Sequence, residues 1–367
     1  MNPENQGYPY VSFIITAYNE EKRISQKLEN ALEQNYPKEK IEIIVASDCS
    51  DDRTDEIVKS YQEKGVVLER APDRKGKENA QKDAIENAKG DILVFSDVAT
   101  MLKSDGISNI VKNFEDPSIG CVSSEDRVID KDGKISGEGF YVKYEMMLRR
   151  LESRVNSLVG LSGSFFAARR IICNNWAIDL PSDFNILLNS KRLGLKGVSD
   201  PKSIGYYNNI ADERKEFDRK ARTVLRGISV FMESIYLLNP LKHGIFSLQF
   251  FSHKLCRWLV PLFLISAIVA NTALLFHSLL MTIVFFMQLL FYCMAVYYYS
   301  QIRNSKIKNI EKNSSHSIQN ANSKIQNILM FVSRLPYFFV TVNYSILVAW
   351  LKYFKGEKAI LWEPSKR

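Results

Sequence analysis

Four short apolar runs alternate with polar, helix-spaced stretches over the first hundred residues. The runs are Tyr10–Thr16, Ile41–Val45, Gly65–Leu68 and Ile92–Phe95. Each is strand-length and rich in Val, Ile or Phe, which predicts buried strands. A polar helix follows the first run to about Asn35. Ile57, Val58 and Tyr61 mark one side of a second helix, and Gly76-Lys77 opens a third that ends at Ala88 before Gly90. Strands alternating with helices predict a parallel sheet of βαβ units.

Beyond the fourth strand the pattern loosens. A helix is expected over Ser104–Phe114, a strand at Gly120–Ser123, a hairpin turn at Asp130-Lys-Asp-Gly133 and an amphipathic helix over Phe140–Ser157. Val159–Ala168 reads as a Gly/Ser-rich loop running into a strand, with Arg169-Arg170 behind it. Pro181-Ser182-Asp183 precedes a helix, which makes Ser182 or Asp183 a candidate N-cap. Ala211–Leu238 reads as one long basic helix. Its Arg219, Arg222 and Arg226 share a face by their spacing, either as a solvated surface or as an anion-binding row.

The last third changes character. From Trp258 to Ile302, 45 consecutive residues contain no Asp, Glu, Lys or Arg. At roughly 20 residues per span that predicts two transmembrane helices, turning near Asn271–Ser278. A buried helical core is the competing reading, and basic flanks on both runs weigh against it. Residues 303–324 form a basic loop, expected on the cytoplasmic side. A third run, Leu335–Leu351, has 17 residues between Arg334 and Lys352, short enough to read either as a span or as a re-entrant segment. Residues 241–257 read as an amphipathic interfacial helix. The expected organisation is therefore a sheet domain over 1–240, the interfacial helix, a transmembrane region over 258–351 and a basic tail over 352–367.

Charge sharpens this picture. The net charge is +8, yet residues 241–367 carry 14 Lys/Arg against 3 Asp/Glu, while residues 1–240 are net acidic. The basic excess sits with the apolar third, which points to a membrane surface and argues against a nucleic-acid partner. Five scattered cysteines without a Cys-x-x-Cys pair give neither a disulfide framework nor a zinc site. The polar stretch Met1–Pro9 does not read as a signal peptide.

Candidate chemistry lies in the loops after strands one, two and four, which carry Tyr18 and Glu20, Asp48 and Asp51, and Asp97. In a parallel sheet these loops share one edge, where open α/β sheets bind ligands. Crowded carboxylates repel unless a cation or ligand donors compensate. The plainer role for Asp97 is to cap the next helix.

These motifs, in this order, resemble those of the membrane-anchored family 2 glycosyltransferases, the group of the cellulose, hyaluronan and poly-N-acetylglucosamine synthases. The resemblance covers roughly residues 8–240 and extends into the anchor. It implies a GT-A fold, with a Rossmann-like nucleotide-binding half joined to an acceptor-binding half. It also implies inverting transfer from a nucleotide-linked sugar, usually a UDP-sugar. By this resemblance Ala17-Tyr18-Asn19-Glu20 lines the nucleoside pocket, Asp48 contacts uracil and Lys77 lies near the donor phosphates. Asp97 matches the first Asp of the D-x-D metal motif, for Mg²⁺ or Mn²⁺. Ser162-Gly163-Ser164 resembles the acceptor-side loop, and Asp183 the general base that ends a Thr-Glu-Asp motif. Trp362–Arg367 is similar to a tail found after the family's last membrane helix.

Two departures stand out. Ala99 occupies the second acidic position of the metal motif. The Gln-x-x-Arg-Trp motif of processive synthases is missing: Arg222 stands where its Arg would, and Thr223 replaces the acceptor-stacking Trp. The expectation is an inverting transferase of the cytoplasmic membrane face, multi-pass, with its catalytic domain in the cytoplasm. It would serve polysaccharide or glycolipid synthesis beside other polysaccharide-assembly proteins, with a saccharide or lipid-linked acceptor. A polyprenyl phosphate is the alternative acceptor, which the basic helix with Arg219, Arg222 and Arg226 would suit. An inactive, membrane-tethered nucleotide-sugar-binding subunit is the alternative function.

Overall fold

The computed structural model describes residues 7–129, 140–208, 213–312 and 324–357. The turn expected at Asp130–Gly133 and the tail Trp362–Arg367 lie outside them. The described chain forms two compact units. The first runs up to Glu213 and resumes over Arg226–Lys254; the second comprises Arg214–Leu225 and Leu255–Glu357.

The first unit is built on one eight-stranded sheet. In chain order its elements are β1 (Val11–Ala17), α1 (Ile24–Leu32), β2 (Ile41–Ser47), α2 (Thr54–Lys59), β3 (Val66–Arg70), α3 (Lys77–Asn87), β4 (Ile92–Asp97), β5 (Met101–Leu102), α4 (Gly106–Lys112), β6 (Ile119–Ile129) and α5 (Phe140–Val155). Then come β7 (Phe165–Arg169), α6 (Arg170–Cys173), α7 (Ser182–Arg192), β8 (Lys196–Asn208) and α8 (Glu213–Glu233), which passes into the second unit and back. The strand order is β3-β2-β1-β4-β7-β6-β8-β5. The first four strands are parallel, as the alternating pattern predicts. Beyond β4 the sheet turns mixed, because β7 runs antiparallel to both β4 and β6.

Helices cover both faces of the sheet. Phe13, Ile15 and Val94 pack with Ile24, Leu28, Ile107 and Ile110 on one side. Ile14, Leu93 and Phe95 pack with Ala80, Ala84, Ile186 and Leu187 on the other. The strand β8 was not expected from the pattern. It reads Lys-Gly-Val-Ser-Asp-Pro-Lys-Ser, too polar and too broken for a strand. It pairs with β6 through a register shift that absorbs the Pro201 region, where Asp200 accepts from the Lys202 N–H and the Ser203 hydroxyl.

The N-cap expectation for α7 is corrected. Pro181 holds the N-cap position, while Ser182 and Asp183 form the first turn and neither side chain caps the helix. Asp97 caps nothing either, since β4 runs on into β5 and α4 starts after Asp105.

The C-terminal part begins with α9 (Pro240–His243) and α10 (Ile245–Phe250), a π-helical turn (Phe251–Cys256) and α11 (Arg257–Ala273). It continues with α12 (Leu279–Lys312) and α13 (Lys324–Phe354). Ile245–Ala273, Leu279–Asn304 and Gln326–Phe354 are each long and apolar enough to cross a membrane. The interfacial stretch is thus continuous with the first of these. Residues 303–312 extend α12 as helix, where a loop was expected. The third apolar run is longer than the 17 charge-free residues because α13 carries Arg334 within it. Inside the second unit Asn271 donates to Gln288 (2.7 Å), and the Trp350 indole donates to the Trp258 carbonyl (2.9 Å).

One buried cation deserves a test. Lys27 on α1 is fully buried, donating to Ser96 Oγ (2.8 Å) and to the Thr100 carbonyl. Burial drives its ammonium from the ordinary 10.5 down to about 7, against the pull of Asp97. Between those values the unfolded chain binds a proton that the folded chain has lost, so stability rises with pH across the window. We expect Lys27→Met to abolish that rise, read as unfolding midpoints of both proteins from pH 7 to 10.5. An equal rise in both would show that Lys27 does not cause it.

Candidate active site

The C-terminal edges of β1, β2 and β4 meet where the strand order reverses, with Thr16 beside Asp97 and Ala17 beside Ser47. The loops leaving β1 and β2 are stitched together. Asn19 accepts from the Asp51 N–H (3.0 Å) and donates its own N–H to Ser50 Oγ (3.2 Å). Asn19 and Cys49 both take left-handed backbone angles, φ +52° and +55°, an uncommon conformation for residues other than Gly.

Asp48 is buried. Its Oδ1 accepts the N–H groups of Gly76 (3.0 Å) and Lys75 (3.2 Å), while Oδ2 has no hydrogen-bond partner among the described residues. Burial raises its pKa, against the pull of those two N–H groups and of Arg74. Gly76 sits at φ +102°, a backbone region essentially reserved for Gly, and this lets the loop deliver its N–H to Asp48 and then start α3 at Lys77. Tyr18 stacks under the Arg74 guanidinium, 4.0 Å from its ring centre. Glu20 is buried at the entry to α1. Its N–H donates to Thr54 Oγ1 (2.8 Å), and its carboxylate lies 3.7 Å from Arg23.

Lys77 and Asp97 form the centre of the site. Lys77 Nζ lies 2.5 Å from Asp97 Oδ1 and donates to the Gly163 carbonyl at 3.0 Å. Burial works most strongly against the ammonium, but the charge and hydrogen bond of Asp97, with the charges of Glu78 and Asp183, together outweigh it, and the Lys77 pKa ends above the ordinary value. Ser164 accepts the Asp97 N–H through its carbonyl (3.1 Å). Gly163 also faces Asp183: a β-carbon at 163 would stand 3.2 Å from Asp183 Oδ2. Lys77, Asp97, Gly163 and Asp183 therefore meet around one loop.

That loop has an anchor that the sequence did not reveal. Asp126 on β6 accepts from Ser162 Oγ (2.5 Å), Ser164 Oγ (2.8 Å) and Ser124 Oγ (3.2 Å). Burial raises its pKa against those hydroxyls and Arg149. A lone Asp inside a polar strand gives no pattern to notice, since its partners lie 36 and 38 residues away. A second unread anchor is Glu78, buried beneath α7. It pairs with Arg226 (2.7 Å) and takes the Ser182 N–H (3.4 Å). Of the three same-face arginines of α8, Arg226 thus joins the first unit, whereas Arg219 and Arg222 lie on the stretch belonging to the second. There α8 meets α13, with Lys220 over the Phe338 ring at 4.7 Å and Phe217 stacked on Tyr344.

A parallel half-sheet with carboxylates at its switch point, continued by an antiparallel half that supplies a second loop, is the GT-A architecture. A mannosyltransferase from Pyrobaculum calidifontis, solved in complex with GDP-Man and Mn²⁺, shares this fold. It superposes with a TM-score of 0.68 over 96% of this chain and 89% of its own, at 19% identity. Residues 12–175 match Glycosyl transferase family 2, and the chain carries a domain of that family. The poly-β-1,6-N-acetyl-D-glucosamine synthase of Staphylococcus aureus (strain COL) is 27% identical over 178 residues, 46% of this chain and 42% of that protein. The corresponding Staphylococcus epidermidis synthase is 28% identical over 170 residues, 44% of this chain and 40% of its own. The match spans less than half the length of these curated relatives.

Removing the Asp126 anchor should free the loop while leaving Asp48 and the loops around it intact. We expect Asp126→Asn to lower sugar transfer about tenfold, as loosened positioning near reacting groups does, with nucleotide affinity unchanged by calorimetry. Equal loss of both would mean that the whole domain is disturbed.

Proposed function

We propose that this chain is an inverting glycosyltransferase using a UDP-sugar at the cytoplasmic face of a membrane. The observation that carries the reading is the meeting of the Lys77–Asp97 pair with Asp183 across Gly163. The first pair suits an anionic diphosphate, and Asp183 suits an acceptor hydroxyl. The free Oδ2 of buried Asp48 supports uracil. One acceptor oxygen fits the one N–H on uracil's pairing edge, while guanine presents donors for two. Tyr18 and Glu20 flank the same loops.

In this mechanism the acceptor oxygen attacks the anomeric carbon as Asp183 takes its proton. The bond from that carbon to the diphosphate oxygen breaks, and its electrons leave with UDP. One displacement inverts the centre. Lys77 neutralises charge developing on the diphosphate, in a site where water is largely excluded. Ser162 and Ser164 hold the acceptor loop, and Arg226 steadies the α7 end through Glu78.

The fold family implies a divalent cation, Mg²⁺ or Mn²⁺, and the residues fit one mode of holding it. Ala99 brings no oxygen, and among the described residues there is no group of three metal-ligating side chains. Hard cations are often held by one or two carboxylates plus substrate phosphates, which needs only Asp97 here. Such a cation would supply further charge neutralisation on the diphosphate when bound. The Pyrobaculum mannosyltransferase was solved with Mn²⁺ and a nucleotide sugar, which supports a divalent cation here.

The synthase relatives support a saccharide acceptor and a role in polysaccharide synthesis beside other assembly proteins. The basic row on α8, with Arg219 and Arg222, supports a lipid-linked acceptor or a polyprenyl phosphate. Three candidate spans support a multi-pass membrane protein. The lone carboxylate at Asp97 favours one rival, an inactive nucleotide-sugar-binding subunit.

Asp183→Asn should keep UDP-sugar affinity and lose transfer by about 10²–10⁴-fold, the usual share of a general base. The measurement is product formation by mass spectrometry with oligosaccharide and lipid acceptors, beside UDP binding. Unchanged turnover would remove Asp183 from the role. Saturable UDP binding with no transfer by the wild-type protein would favour the subunit reading.

A further inference from the structure

Helix α5 presents three distinct faces. Met146 and Glu152 are buried against the first unit. Tyr144, Met147, Leu151 and Val155 fall on one stripe by helical spacing and are 43%, 51%, 47% and 56% exposed. Along one margin of that stripe stand Lys143, Arg150 and Arg154, all outward-facing. Arg150 keeps much of its side chain in solvent although it pairs with Glu125 at 2.6 Å. A water-facing helix normally reverses this order, with its apolar stripe inward.

The surroundings say what meets this face. The seam beside it is made with the first turns of the first candidate span. Gln249 donates to the Glu152 carbonyl (3.1 Å), and His253 sits between Glu152 and Glu145, 3.3 Å from the latter. Both Gln249 and His253 belong to the unbroken helical run that continues as α11. That run exposes apolar residues of its own, Ile245 at 46% and Leu248 at 61%.

We propose that α5 is a membrane-surface helix, seating its exposed apolar stripe in the headgroup–acyl boundary of an anionic leaflet. The occupant is a lipid surface because the margin is uniformly cationic and the neighbouring helix heads into the bilayer. The inference rests on the membrane reading above and adds a second, non-spanning contact. It fixes the first unit to the leaflet through α5 as well as through the chain that enters the membrane.

The test uses the full chain in lipid nanodiscs, with Cys49→Ser, Cys256→Ser and Cys293→Ser to clear accessible thiols. A fluorophore is placed at Met147→Cys or Leu151→Cys, with Lys112→Cys as the solvent control and Phe286→Cys as the membrane control. Headgroup-proximal spin-labelled lipid should quench positions 147 and 151 about threefold more than position 112, as a side chain seated some 5–10 Å into the boundary requires. The pair Lys143→Glu and Arg154→Glu should weaken that quenching in anionic but not in zwitterionic discs. Quenching at 286 without quenching at 147 and 151 overturns the inference and leaves the membrane reading intact. No quenching at 286 overturns both. Disulfide-linked dimers through position 147, with no lipid quenching there, would show that a second copy covers the face and would equally overturn it.

Discussion

A carboxylate and an ammonium 2.5 Å apart, at the end of β4 and the start of α3, hold the site together. Neither has much solvent to fall back on, with side chains 25% and 10% exposed. Removing one partner from such a pair strands the other, at a typical cost of about 3–5 kcal/mol when burial is complete. Lys77 also grips the Gly163 carbonyl, so three segments distant in sequence are fixed by one cation. On the proposed reading an incoming diphosphate would meet an ammonium that already has partners in place, leaving little reorganisation for the moment of reaction.

The mixed sheet explains why the site has two sides. The parallel half places the ends of β1, β2 and β4 at one edge, where Asp48 and Asp97 collect. A purely parallel sheet would send the next strand up the same way, with its loop after it. Because β7 runs antiparallel beside β4, the loop before it arrives at that same edge. The Ser162-Gly163-Ser164 loop thus reaches Lys77 without a long connection, and β6 supplies Asp126 to hold it.

Much of this was legible in the sequence. Three of the four parallel strands, β1, β2 and β4, announce themselves because both of their faces are largely buried, which makes them continuous apolar runs, while β3 at the sheet edge shows only as a short Val-Val-Leu run. Asp48 and Asp97 stand at the ends of such strands, where position draws notice, while Lys77 and Asp183, in the first turns of helices, are marked by the family resemblance. The strand β8 escaped because Gly197, Pro201 and Gly205 interrupt it, and its pairing with β6 depends on an irregular register. Asp126 and Glu78 escaped for another reason. Their importance comes from partners assembled by the fold, and a single buried carboxylate has no periodic signature. The reading of Ser182 and Asp183 as caps failed because Glu78, 104 residues away, already takes the Ser182 N–H.

Asp48 carries a consequence for how such an enzyme would change over generations. One of its oxygens is committed to the loop at Lys75 and Gly76, the same loop that launches Lys77 toward Asp97. On the uracil reading proposed above, a lineage moving to guanine, which presents two donors, would need both oxygens free and would have to re-fold that loop, disturbing the hold on Lys77 in the same stroke. The sugar and the acceptor face no such linkage. Drift in this scaffold should therefore be quick in what is transferred and to what, and slow in the nucleotide that carries it.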